Sequence, residues 1–240
     1  RFHGVAGLIL AAICVYRVSD FVLNIMNPFY RDMGFTLTEI AEIRKVFGII
    51  ASMIGVFLGG VIVARLGLMK ALVIGAFAQP ISNLFFAWLA MSGHNVPVLF
   101  WAICIDNVAG GVAGTALIAY MSSLTTVGFT ATQYALFSSL YALPGKLIAS
   151  QSGRIVEASA IAAEAGGPIG ALKGLFTRLP PESFTAAGAK LGVSAPAMAA
   201  GYTAFFLYTA LIGVAAIVLS FMVAAKQGEI ERRAEAEAAA

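Results

Sequence analysis

Apolar residues in this chain fall into six long stretches, roughly 5–29, 41–64, 70–92, 96–121, 130–151 and 201–224, divided by polar breaks. Each approaches the ~20 residues that carry a helix across the hydrocarbon core of a bilayer. One 240-residue soluble domain cannot bury six such stretches, so lipid is expected to solvate much of the surface. The breaks read as connections. In "YRDMGFTLTEI" either Thr36 or Thr38 is placed to cap the following helix. "ARLGLMK" is a tight basic turn containing Arg65, Gly67 and Lys70, and "SGHNVP" and "SSLTTVGFTAT" join the next spans.

The stretch 152–200 is different, being the long polar excursion of the chain. Gly166-Gly167-Pro168 and Pro180-Pro181 divide it into short pieces. "IGALKGLFTRL" has the look of a surface-lying amphipathic helix, and "PESFTAAGAKLG" reads as a short helix begun by Pro and ended by Gly. An irregular loop is the alternative. The expected organisation is therefore spans one to five over 1–151, a loop with short helices over 152–200, a last span over 201–225 and a charged, helix-prone tail over 226–240.

Composition agrees with this pattern. Apolar residues make up 60% of the chain and charged ones 11%, against about 25% charged in a soluble domain. The net charge of +3 contains no basic run dense enough to follow a phosphate backbone, so nucleic acid is not an expected partner. Cys14 and Cys104 lie inside separate apolar stretches, with no disulfide framework or metal-ligand spacing, and no metal or cofactor is expected. His3 and His94 sit at span ends or loops and there is no Ser/His/Asp constellation, so an enzyme is not expected either. "RFHGVAGLILAAICV" has the shape of a signal peptide, but the apolar pattern continues past Arg17 and Asp20, so a true span in a chain whose beginning is missing is expected.

The informative residues are polar ones inside the spans, because a carboxylate at mid-membrane costs roughly 2.5–3.5 kcal/mol unless it faces protein or water. Arg17, Asp20 and Asn24 follow at i, i+3 and i+7 and so share one helical face, where Arg17 and Asp20 can pair. That face either carries a structural ion pair or lines a wet cavity. Arg44 and Lys45 are close enough to a span end to snorkel. Gln79 and Asn83 share a face of the third span, as interhelical links or as cavity groups. The fourth span carries Asp106 and Asn107, then Gly110, Gly111 and Gly114, of which Gly110 and Gly114 make a small-xxx-small face for close helix approach. The fifth carries Gln133, Tyr134 and Lys146, and the sixth has no charge. Read as two triplets, the first span of each holds a carboxylate, Asp20 and Asp106, which is the polarity expected of a three-plus-three inverted repeat around a central cavity.

Several of these stretches resemble the carboxy-terminal half of AmpG-type muropeptide permeases of the major facilitator superfamily, from about Ala11 to Gly153 and more weakly in the last span. "YRVSD" is similar to the family's Tyr-Lys/Arg-x-x-Asp element, and "RKVFGIIASMIGVFLGGVIVARLG" to its Lys-x-x-Gly…Gly-Gly…Arg stretch. "QPISN", "IDNVAGGVAGTALIAYMSSL" and "FTATQYALFSSL" complete the match. The chain departs from the family at Pro144-Gly145-Lys146, where Gly-Arg is common, at Asp106, where some relatives have Glu, and in the length of 154–200.

The resemblance implies an all-α membrane protein, six spans forming one half of a major facilitator fold. It would pair with an amino-terminal six-span half and lie in the bacterial inner membrane, with both ends of this segment cytoplasmic and 154–200 periplasmic. The activity implied is proton-coupled import of anhydro-muropeptides for cell-wall recycling, a flux tied to β-lactamase induction. On that reading Arg17, Lys146 and Lys45 attract acidic peptide, and Asn107, Gln133, Gln79 and Asn83 bond sugar hydroxyls and amides; Asn24 and Tyr134 complete the cavity. Asp20, one turn from Arg17, is the expected permanent anion, and Asp106 the expected proton site. The alternatives are a transporter of another substrate, such as a peptide, sugar conjugate or acyl-CoA-like molecule, and a six-span scaffold or sensor.

Overall fold

The computed structural model describes residues 5–125, 130–176 and 178–239. The middle of the connection expected over 122–132, and His3, lie outside them. Among the described residues the chain is helical throughout, without strands.

Four helical stretches are long and apolar enough to span a bilayer: Leu37–Leu66, Leu68–Ser92, Val96–Leu124 and Ala195–Ile230. The first is built from α4 (Leu37–Glu42), a π-helical turn (Ile43–Gly48) and α5 (Ile49–Leu66), and the next two are α6 (Leu68–Ser92) and α7 (Val96–Leu124). A fifth candidate is a bent pair, Ala131–Ala165 and Gly167–Phe176, which meet at 79°. It comprises α8 (Thr130–Ala149), α9 (Ser152–Ala165), α10 (Gly167–Gly170) and a 3-10 turn (Ala171–Phe176). The short α11 (Thr185–Leu191) follows, and α12 runs unbroken from Ala195 to Ala239, well past the expected end of the last span.

The first apolar stretch is not one rod. It divides into α1 (Ala6–Tyr16), α2 (Val18–Phe21), a 3-10 turn (Val22–Ile25) and α3 (Met26–Asp32). Its first break falls at Arg17. Broken backbone at membrane depth is tolerated where it is buried in protein or lines a cavity, and both conditions bear on what Arg17 does below.

Local chemistry explains several of the ends. Thr36, the nearer of the two expected caps, makes a capping box: its hydroxyl accepts the Glu39 N–H (3.2 Å) and the Glu39 carboxylate accepts the Thr36 N–H (2.8 Å). Gly67 turns the chain between α5 and α6 at φ +85°, in the glycine region, which leaves Arg65 and Lys70 exposed on the connection. Asn95 caps α7 by accepting the Val98 N–H (3.2 Å).

Helix packing depends on small residues, as expected where lipid supplies no hydrophobic drive between helices. A methyl on Gly55 would lie 2.4 Å from the Val108 carbonyl oxygen, and one on Gly111 2.7 Å from the Gly55 backbone, so α5 and α7 touch backbone to backbone. A methyl on Gly75 of α6 would lie 2.4 Å from the Tyr16 hydroxyl and 2.9 Å from the Ala113 backbone. Large apolar side chains point outward, among them Met53, Phe57 and Leu211, each about 70% exposed (68%, 71% and 70%). A polar solvent would not tolerate them in such numbers; lipid does.

Two buried clusters sit at opposite ends of the bundle. One holds Ile9, Ile13, Tyr16, Leu72, Tyr120 and Val223, where the Gln227 amide donates to the Tyr120 hydroxyl (2.9 Å). The other gathers Phe29, Phe86, Leu99, Phe176, Phe184 and Phe206. The second cluster draws part of the stretch 152–200 into the packed interior. Val156, Ala160 and Ala163 of α9 are buried, and a methyl on Gly201 of α12 would lie 2.8 Å from the Ala160 backbone. Alanine-on-glycine contact of this kind carries little hydropathy signal, so the stretch read as a polar excursion. The expected helix over 181–192 begins at Thr185 rather than at Pro181, because Phe184 takes a left-handed conformation (φ +62°) before it. It ends, as read, at Gly192.

The same segment ties connections together. The Ser183 hydroxyl accepts the His94 N–H (2.9 Å) and donates to the Met33 carbonyl (3.2 Å), while the Phe184 N–H donates to the Asp32 carbonyl (2.6 Å). His94 lies between two carboxylates, Glu39 at 3.3 Å and Glu182 at 3.4 Å.

Candidate functional site

Asp106 lies midway along α7, and the carboxylate that looked costly in the sequence has a partner: the Ser82 hydroxyl of α6 donates to Asp106 Oδ1 (3.0 Å). One residue on, Asn107 uses both ends of its amide. Its oxygen accepts the Ser52 hydroxyl of α5 (2.8 Å) and its nitrogen donates to the Ile103 carbonyl (2.8 Å). Ser52, Asp106 and Asn107 together border two adjoining hollows of about 220 and 300 Å³.

The larger hollow also takes Arg17, Asp20, Gly110 and Gly111. Arg17 and Asp20 pair directly, as their spacing predicts. Gln79 joins them: with its amide turned to suit both neighbours it donates to Asp20 Oδ1 (3.1 Å) and accepts the Gly110 N–H (3.2 Å). Arg17 at the first break, Asp20 of α2 and Gln79 of α6 are thus one hydrogen-bonded unit, and Asp20 is paired and bonded within it. Asp106 shares the hollow with this ion pair.

The glycines of α7 divide the work differently from the expected pairing of Gly110 with Gly114. A methyl on Gly114 would meet the Arg17 guanidinium at 3.2 Å, and the nearest atoms to one on Gly110 are the Arg17 and Gln79 nitrogens at 3.9 Å. Gly110 leaves room for a methyl, whereas at Gly114 the Arg17 side chain would have to give by a few tenths of an ångström. The close helix contact falls to Gly111, on the adjoining face against Gly55.

Arg44, which the sequence reading passed over as a cavity group in favour of Lys45, borders the site. It lines the smaller hollow with Tyr30, Gly48, Ser52, Asp106 and Asn107, and its guanidinium donates to Asn27 of α3. Lys45 is exposed and borders neither hollow. A π-helical turn over 43–48 shifts the register here, and π-turns are frequent at functional sites. The signal was available: Arg44, Gly48, Ser52, Gly55 and Gly59 follow at spacings of four and three, one polar-to-small stripe on a single face.

Other expected cavity residues lie elsewhere. Asn83 is 1% exposed and acts as a strut, donating to the Ser19 carbonyl (3.3 Å) and the Thr209 hydroxyl of α12 (3.1 Å). Asn24 does not continue the Arg17–Asp20 face, because the 3-10 turn over 22–25 rotates it into a separate cavity. Lys146 is exposed and borders a hollow with Ser138, Ser139, Ala142 and Leu143 that shares no residue with the Asp106 site. Tyr134 packs against the cluster around Ile13, and Gln133 is half-buried nearby on the same helix. The physical reason is common to all three: α8 packs chiefly on α1 and α2 and only slightly on α7.

Among the described residues no group of three His, Cys, Asp or Glu side chains is arranged to hold a metal ion. What the site offers is a part-buried ion pair, a second carboxylate, the Asn107 amide and the Ser52 hydroxyl bordering water-sized space, with Gln79 and Ser82 buried behind them, a set suited to binding polar groups.

No protein-family model matches the chain. Over 149 residues, 62% of its length, it is 36% identical to a protein of Rickettsia conorii named "Putative transporter AmpG 4". It is 34% identical over 150 residues and 35% identical over 147 residues to two Rickettsia prowazekii proteins named in the same way as AmpG 1 and AmpG 3. The matched segment covers 34–36% of these relatives, so the chain spans about a third of their length. The chain is therefore similar to part of an AmpG-type transporter, and these relatives are named as transporters rather than enzymes.

Proposed function

We propose, from that kinship with transporters, that this chain forms the carboxy-terminal half of a proton-coupled importer of anhydro-muropeptides in the bacterial inner membrane. On this reading it is the six-span half of a major facilitator fold, the first broken stretch and the bent α8–α10 stretch each counting as one span. Both ends of the segment are cytoplasmic, and its partner is an amino-terminal half of the same protein. The span Leu37–Leu66 supports the partner half: only 22% of its apolar core is buried, so most of its circumference awaits lipid or protein.

The observation that carries the reading is the shared hollow. Asp20 and Asp106 come from the first elements of the two sequence triplets and border one hollow, as an inverted repeat around a central cavity requires. Asp20 is held by Arg17 and Gln79, which suits a permanent anion. Asp106 has one hydroxyl donor and, among the described residues, no direct cation, which suits a group that gains and loses a proton during alternating access. Arg17 and Arg44 would meet the acidic part of the substrate, and Asn107, Gln79 and Ser52 its hydroxyls and amides.

Uptake of labelled anhydro-muropeptide by vesicles carrying the full-length protein tests this. Asp106→Asn should abolish the response to an imposed pH gradient while leaving substrate exchange in place. Unchanged pH-driven uptake would remove Asp106 from the coupling step. Competition by peptide, sugar conjugate or acyl-CoA in the same vesicles decides between substrates.

A further inference from the structure

A second, larger cavity of about 420 Å³ lies at the other end of the first apolar stretch, between α3, α9, α11 and α12. That is within the ordinary range for a small-molecule site, roughly 300–1,000 Å³. It shares no lining residue with the Asp106 hollows. Asn24, stranded by the 3-10 turn, opens into it.

Its charges come from three elements: Asp32 from the end of α3, Glu157 from α9 and Lys190 from the last turn of α11. Asp32 is the fixed point. Its Oδ2 accepts the Tyr202 hydroxyl (2.6 Å) and its backbone carbonyl accepts the Phe184 N–H (2.6 Å). Tyr202 is 1% exposed and held by tilted ring contacts with Phe29 (4.8 Å) and Phe184 (5.6 Å). Glu157 and Lys190 are exposed to the cavity, and among the described residues no ion pair within 4.0 Å neutralises either. A metal does not suit the pair of carboxylates, since among the described residues no third acidic, His or Cys group joins them. A polyanion does not suit two carboxylates against one lysine.

We propose that this cavity is a second binding site, for a small zwitterion: a free amino acid or the unblocked end of a short peptide. The ligand ammonium sits between Asp32 and Glu157, its carboxylate on Lys190, and its amide on Asn24, with Pro28 and Met198 against the apolar part. Burial holds the Asp32 carboxyl above its ordinary range, against the Tyr202 hydrogen bond and the positive charges of Lys190 and Arg31. An arriving ammonium favours the ionised form and so gains from a group that is already positioned.

The test uses the full-length protein in detergent and isothermal titration with four probes: dialanine, N-acetyl-dialanine, dialanine amide and the doubly blocked compound. Dialanine should bind about tenfold more tightly than either singly blocked form, the doubly blocked one weakest. Glu157→Gln and Lys190→Gln, both surface changes, should each weaken dialanine about tenfold. Lys190→Gln should leave the amide unaffected, and Asp106→Asn should leave dialanine binding unchanged, separating this site from the transport cavity. Equal affinity for all four probes, no dialanine binding, insensitivity to Glu157→Gln and Lys190→Gln, or loss with Asp106→Asn would each overturn the proposal.

Discussion

Gly110 and Gly111 are neighbours on α7 with opposite expected tolerances for a methyl group. At Gly111 the new Cβ would stand 2.7 Å from both the Gly55 carbonyl carbon and the Val56 nitrogen. Those are backbone atoms in a helix, so no rotamer change relieves the overlap; α5 and α7 must separate by the better part of an ångström. Overpacking of this kind costs typically 1–3 kcal/mol. Separation also loosens the Ser52–Asn107 hydrogen bond, which spans the same interface. At Gly110 the nearest atoms are side-chain nitrogens at 3.9 Å, ordinary contact. Alanine there is free of clash and gains up to about 1 kcal/mol of helix propensity. Thermal unfolding of the detergent-solubilised full-length protein should show Gly111→Ala melting clearly below the parent and Gly110→Ala at or above it. A cysteine pair placed across α5 and α7 should also cross-link more slowly in Gly111→Ala. Equal melting temperatures for the two variants would refute the assignment of the helix contact to the Gly111 face.

Three more outcomes are expected. Arg44→Ala should lower substrate uptake strongly and Lys45→Ala hardly at all, measured as initial rates in the same vesicles, because only Arg44 reaches the Asp106 hollow. Asn83→Leu should lower stability by about 1–3 kcal/mol, since it leaves buried Thr209 and Ser19 groups without that partner, yet leave the substrate KM unchanged. Asp32, raised by burial above 3.8, contributes stability that is present below that value and is lost as pH climbs through its folded-state pKa. The melting temperature of the parent relative to Asp32→Asn should accordingly fall as pH rises from about 4 toward neutrality, and a constant difference would contradict the burial.

Residue periodicity alone made the ion pair legible. Arg17 and Asp20 are one turn apart in an apolar stretch, where pairing lowers the cost of each. The capping box at Thr36, the turn at Gly67 and the membrane character itself follow from equally local chemistry. Kinship with transporters was readable too, because it rests on short motifs rather than on packing.

Which polar residues share a cavity is another matter. Gln79 and Asn83 occupy the same face of α6 in the sequence, yet one closes the Arg17–Asp20 unit and the other ties α6 to α12. Helix rotation and the neighbour that happens to pack there decide between those fates, and neither is a property of one helix. A π-turn exchanged Lys45 for Arg44, a 3-10 turn carried Asn24 into a different cavity, and the choice of partner for α8 kept Lys146 away from Asp106. Composition and spacing determined that polar groups must be sheltered inside this membrane protein. Only the tertiary structure decided which groups shelter one another, because contacts between helices depend on small rotations and backbone approaches that a one-dimensional period cannot encode.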